Sequence, residues 1–203
     1  MSSIFVSYRR ADSRDLTERI HDRLVQAFKN ENVFLDVDNH IPAGSNFPDV
    51  LMTSLNRSSV VLVIIGNKWL DIRENDDDTL RRLDNPADFV RIEVETALNE
   101  PFITVIPILV DGAHMPNGND LPDVLKPLAN IQAKPVRRNP YFHDDITELI
   151  KIIKIEFTKV ESAKKQYEAE LAREKEGYEQ NTKEEALELT TQRLLDILEI
   201  PVH

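Results

Sequence analysis

A doubly wound α/β domain followed by a charged helical extension is the fold this sequence predicts, and three observations predict it. Short apolar runs alternate with amphipathic stretches from the first residues to Ala133, which argues for a parallel sheet with helices on both faces. The run Val60–Ile65 is continuous and largely β-branched, as a strand covered on both sides requires. From His143 onward the background turns to Lys and Glu while apolar residues recur at helical intervals.

In chain order, Ile4-Phe5-Val6 reads as the first strand, ended by polar Ser7-Tyr8-Arg9-Arg10. From Asp12 or Ser13 to Lys29, Leu16, Ile20, Leu24 and Phe28 recur every fourth residue, the stripe of a helix with one buried side. Val33–Val37 is the second strand. Pro42 and Gly44 among polar neighbours make Asp38–Phe47 a loop, and Pro48–Leu55 follows as a short helix. Gly66 ends the third strand, Val60–Ile65. The charged stretch Asn67–Asn85, with the lone Trp69 near its start, reads as a long loop, a feature that is often functional. Leu83–Leu98 contains the next helix: Asn85 suits its cap, Pro86 its first position and Asp88 its positive end. Val90, Val94, Ala97 and Leu98 form its apolar stripe, with Phe89 and Glu93, one turn apart, along the border. Thr104–Val110 is the fourth strand, Gly112–Asn119 a turn region, Leu121–Leu128 a short helix and Ile131–Ala133 the last strand.

The boundary falls near residue 155, giving a domain over 1–155 and an amphipathic helical extension over 156–203. Ile146, Leu149, Ile153, Phe157, Val160, Tyr167 and Leu171 carry the domain's last helix past it. Lys164 and Glu174 break what would otherwise be a coiled-coil seam. Gly177 interrupts, and Thr182-Lys183-Glu184-Glu185 reads as a capping box opening a helix with Leu187, Leu194 and Leu198 on one side until Pro201. The apolar stripe calls for a partner: this domain, a second copy, or a further domain.

Composition excludes several classes of function. With Lys plus Arg at 25 and Asp plus Glu at 36, the net charge of −11 repels phosphate backbones, so nucleic acid is not an expected partner. The arginine doublets at 9–10, 81–82 and 137–138 are too isolated to reverse this. The absence of cysteine removes disulfides, thiolate chemistry and Cys-ligated zinc, and fits a reducing, cytoplasmic setting. No apolar run is long enough to cross a bilayer and no secretory signal precedes the first strand, so no membrane association is expected.

In an open parallel sheet, ligands bind beyond the carboxyl ends of the strands where strand order reverses. A flavodoxin-like order, 2-1-3-4-5, places that crevice between the first and third strands. Candidates there are Ser7, Tyr8, Arg9 and Arg10, then Asp36 and Asp38, then Asn67, Lys68 and Trp69, with Glu93 approaching from the helix after the third strand. Competing chemistries lack their residues. Neither usual phosphate-cradling glycine motif occurs, the histidines are scattered without metal-ligand spacing, and Ser7 and Ser45 lack a nucleophile elbow. No metal is expected. Asp36 and Asp38 resemble the acidic pair of a magnesium-binding receiver, but the late-strand lysine such a site needs is not evident.

Ile4-Phe5-Val6-Ser7-Tyr8-Arg9-Arg10 with Asp12-Ser13 resembles the opening of a bacterial TIR (Toll/interleukin-receptor) domain. Phe34-Leu35-Asp36 with Ile41–Phe47, Val60–Gly66 with Trp69-Leu70, and Arg82–Asp84 through Asp88–Glu93 resemble its later motifs in order, over about residues 1 to 155. The resemblance implies cleavage of NAD, as substrate and not as resident cofactor, at the nicotinamide–ribose bond in antiviral defence. Its Trp-x-x-x-Glu pattern maps the catalytic glutamate onto Glu93, with Phe89 in place of tryptophan. It further implies that Tyr8 and Arg9 line the nicotinamide side, that Trp69 and Phe89 contribute aromatic surface, and that Ser45 and Asn46 lie on the loop, Asp38–Phe47, through which family members self-associate. TIR domains that are non-enzymatic adaptors form the alternative.

Overall fold

The computed structural model describes residues 2–35, 53–74 and 77–197. Asp36, Asp38, Ser45 and Asn46, and with them the expected loop over 38–47, lie outside the described residues. In chain order the strands are β1 (Ile4–Ser7), β2 (Val33–Leu35), β3 (Val60–Ile65), β4 (Arg73–Glu74), β5 (Asp77–Arg81), β6 (Thr104–Val110) and β7 (Lys134–Val136). Among the described residues the long α-helices are α1 (Arg10–Phe28), α2 (Phe89–Asn99) and α3 (Phe142–Ile197), and residues 53–57 are also helical; the start of the helix expected over Pro48–Leu55 lies outside the described residues. Five strands form a parallel sheet in the order β2-β1-β3-β6-β7, which is the expected 2-1-3-4-5 once the separate β4–β5 hairpin is set aside.

Alternation along the strands assigns the two faces. Ile4, Val6, Val60, Leu62 and Ile64 join Leu16, Ile20 and Leu24 of α1 and Ile146, Leu149 and Ile153 of α3 in one core. Phe5, Val61, Val63 and Ile65 join Val90, Val94 and Ala97 of α2, with Leu55, Trp69, Leu83, Leu125 and Leu128, in the other. All of β3 is buried because β1 and β6 flank it and both faces are covered, the environment its unbroken apolar run predicts. α1 begins earlier than Asp12, at Arg10, with a kink at Ser13.

Several elements differ from expectation for physical reasons. The stretch from Asn67 to Asn85 is not all loop: β4 and β5 pair antiparallel, and a 3-10 turn spans Arg82–Asp84. Both strands are polar, so no apolar alternation announced them. α2 starts at Phe89 with Asp88 as its cap, not Asn85; the Asn85 side chain instead accepts from the Ala87 N–H at 2.9 Å, closing a turn that contains Pro86. The last strand is Lys134–Val136 and not Ile131–Ala133: at a sheet edge one buried residue, Val136, anchors the strand and Pro135 is tolerated. The short helix expected over Leu121–Leu128 is a 3-10 helix over Asp123–Asn130.

α3 continues through Gly177, and Thr182 caps nothing. Its hydroxyl donates to the Tyr178 carbonyl at 2.9 Å, the bond of a threonine inside a helix. One glycine costs about 1 kcal/mol against alanine, which the surrounding Glu, Lys, Ala and Leu offset. The chain divides into two units, Met1–Glu161 and Ser162–His203. In the second, Tyr178, Leu187 and Leu194 are exposed. No helix among the described residues is long and apolar enough to cross a membrane.

Candidate active site

The chain reverses its direction of winding between β1 and β3, so the crevice of interest lies past Ser7 and Ile65. Ser7 ends β1 opposite Val63, and the strand's alternation turns Phe5 and Ser7 toward the α2 face. There the Ser7 hydroxyl donates to Glu93 Oε2 at 2.5 Å, and both residues have no exposed surface. Glu93 is thus more deeply set than a border position on α2 implies.

The N-terminus of α2 is pinned to the same strand end. Arg9 donates to both Asp88 oxygens, at 2.8 and 3.0 Å, and its Nε donates to the Trp69 carbonyl at 3.1 Å. Asp88 also accepts from the Arg91 N–H at 3.0 Å, capping α2, and forms an ion pair with Arg82, whose Nε lies 3.3 Å from it. Side-chain exposures of 2% and 1% for Arg9 and Asp88 make this a buried fork-on-fork pair, the geometry to which guanidinium and carboxylate are matched.

The loop after β3 is held by Asp12, which accepts from the Gly66 N–H at 2.8 Å and the Lys68 N–H at 2.7 Å. A Cβ at Gly66 would stand 2.5 Å from an Asp12 oxygen, so only glycine permits this approach. Burial pushes the Asp12 carboxyl above its ordinary value, against the two N–H bonds that favour its charged form. Across the sheet, Asn67 donates to the Asp111 carbonyl at 2.7 Å, and Arg138 grips the Asp111 carboxylate at 2.5 and 2.9 Å, holding it below the usual range. The carboxyl ends of β1, β3, β6 and β7 are laced together by these bonds.

The residues singled out in the sequence fall in different places. Glu93, Arg9 and Trp69 come together on the α2 face, with the Arg9 guanidinium 6.0 Å from the Trp69 ring centre. Trp69 is fully buried, and its Nε1 has no hydrogen-bond partner among the described residues. Tyr8 follows the strand alternation to the opposite, α1 face and is 4% exposed. Phe89 stands one turn before Glu93 and is 39% exposed. Ser45 and Asn46 lie outside the described residues. Neither Ser7 as the partner of Glu93 nor Asp88 as the partner of Arg9 is among the pairings the sequence suggests. The alternation of β1 carries a signal for Ser7, since it shares a face with Phe5; Asp88 is 79 residues from Arg9, and only the topology joins them. Among the described residues, no group of three or more His, Asp or Glu side chains is arranged to hold a metal ion.

The family model described as the TIR domain matches residues 4–150. The chain belongs to the TIR domain family. The fold of this TIR domain is similar to that of the TIR domains in the structure of the activated Roq1 resistosome directly recognizing the pathogen effector XopQ, at 16% identity and a TM-score of 0.55, covering 75% of this chain and 99% of that one. No curated protein matches the chain. Within the TIR fold, what this site offers chemically is one buried carboxylate fixed at the sheet's reversal point, an aromatic ring at the start of the same helix, and a second carboxylate, Asp88, already committed to Arg9.

Proposed function

We propose that this TIR domain cleaves NAD at the bond between nicotinamide and ribose, releasing nicotinamide and leaving ADP-ribose or a cyclised relative. The observation that carries the reading is the placement of Glu93, held by Ser7 at the carboxyl end of β1 on a helix anchored by Asp88. Glycoside hydrolysis ordinarily needs two carboxylates, one to protonate the departing oxygen. Nicotinamide departs from NAD as a neutral base, taking the electron pair of the C1′–N bond, so no acid is required. One carboxylate then suffices, binding ribose hydroxyls and stabilising the positive charge that develops on the sugar, a preorganised electrostatic role. Water or a nucleophile of the same molecule completes the reaction at C1′.

Phe89 retains an aromatic face for stacking without the N–H of the family's tryptophan. Glu93 has no exposed surface in the single chain, so substrate reaches it only after the crevice opens. This agrees with a cytoplasmic defence enzyme switched on by self-association, the neighbouring chain helping to complete the site. The same burial favours a second reading, an adaptor that assembles through TIR contacts and turns nothing over. Sedimentation with NAD and concentrated protein separates the two: the enzyme assembles and releases nicotinamide, and the adaptor assembles without release.

A further inference from the structure

We propose that Ser7 is a positioning residue of this reaction, its hydroxyl holding the Glu93 carboxylate in the orientation from which it meets the ribose. The inference rests on the NAD-cleaving reading and adds to it a residue outside the aromatic and glutamate pattern. Ser7 Oγ is placed by the sheet and not by a flexible side chain. The residue pairs with Val63 in the ladder, and a single torsion separates its oxygen from that backbone. Glu93, by contrast, has three side-chain torsions, and the bond from Ser7 falls at its tip.

The two elements carrying these groups are locked together nearby. Arg9, two residues beyond Ser7, forks onto Asp88, five residues before Glu93, so the end of β1 and the first turns of α2 keep one relative position. Both residues of the bond are wholly buried, so no water competes for the 2.5 Å contact. A serine is also out of character here. Its neighbours on this face, Phe5, Val61 and Val63, are apolar and fully buried, and an alanine would satisfy packing alone.

The test measures nicotinamide release from NAD and thermal melting for the wild type, Ser7→Ala, Ser7→Thr and Ser7→Cys. Ser7→Ala is expected to lower kcat by about ten- to a hundred-fold, the worth of a hydrogen bond to a charged group, with KM within about twofold. Ser7→Thr keeps the donor and restores most of the rate, while Ser7→Cys, a weak donor, falls between. A Ser7→Ala protein with the wild-type kcat, or with its loss in KM alone, overturns the assignment. So does a Ser7→Thr protein that melts with the wild type yet is as slow as Ser7→Ala. If Ser7→Ala fails to fold, Ser7→Cys as fast as Ser7→Thr overturns it instead. Wild-type protein that releases no nicotinamide overturns the NAD-cleaving reading itself and this assignment with it. Release by the wild type with an unaffected Ser7→Ala overturns the positioning role alone.

Discussion

Replacing Asp88 with alanine removes two supports at once, and the structure sets the size of each. Arg9 would be left charged with 2% of its side chain exposed and no carboxylate in its fork, a loss of about 3–5 kcal/mol for breaking a buried pair from one side. The Arg91 N–H would lose its acceptor, worth about 1 kcal/mol for an N-cap. Arg82, 45% exposed, adds little because water screens it. The sum, about 4–6 kcal/mol, corresponds to a fall in melting temperature of roughly 10–20 °C for a domain of this size. Circular dichroism melts of wild type, Asp88→Ala and Asp88→Asn measure it. Asparagine caps as well as aspartate, so Asp88→Asn recovers about 1 kcal/mol and no more. The double variant Arg9→Met, Asp88→Asn buries no charge and is expected to melt above Asp88→Asn. An Asp88→Ala protein melting within about 3 °C of wild type would mean that Arg9 is not confined to this fork.

Much of this architecture was legible in the residues. The alternation of apolar runs and helix stripes identified a doubly wound sheet and its order, and Val60–Ile65 and Thr104–Val110 were bounded as they stand. The elements that escaped carry no apolar signal: the polar hairpin β4–β5, and the edge strand β7 with its single buried Val136. Local motifs misled where tertiary context chose among several local options. Asn85, Pro86 and Asp88 all suited a helix start, and Arg9, distant in sequence, selected Asp88. Thr182-Lys183-Glu184-Glu185 matched a capping box but lies inside a helix whose formers outweigh Gly177. At the site, Glu93 is singled out by its place on the helix after the third strand together with the resemblance to the TIR pattern, not by its spacing to Phe89 alone. Its contact with Ser7 spans 86 residues, which no local pattern encodes.

Gly66→Ala is expected to lose about 1–3 kcal/mol by forcing a methyl against the Asp12 carboxylate, and combining it with Asp12→Ala should lose less than the sum of the two; strict additivity in melts would contradict the contact. Asp84, Asp111 and Asp145 are held below the usual 3.8 by hydrogen bonds from Arg81, Arg138 and Arg137, so the stability they contribute is present above that value and is lost as pH falls through their lowered values. Asp12, raised by burial, has the opposite sign: its contribution is present below 3.8 and lost as pH rises through its folded value. Melting temperature should therefore drop below about pH 4, and less steeply in Asp111→Asn; parallel curves would show that the Arg138 pair does not form. Both core clusters lie within the unit Met1–Glu161, so a chain ending at Glu161 should fold and melt cooperatively; an unfolded product would contradict the division.

Whether the buried Glu93 carboxylate does the proposed chemistry is read from the rate of nicotinamide release from NAD, measured over a range of protein concentrations for wild type and Glu93→Gln matched for melting temperature and sedimentation. Release by the wild type is expected to rise more than proportionally with concentration, and Glu93→Gln to lose at least about a thousand-fold. Equal release by the two proteins, or none by an assembled wild type, would contradict that role for Glu93.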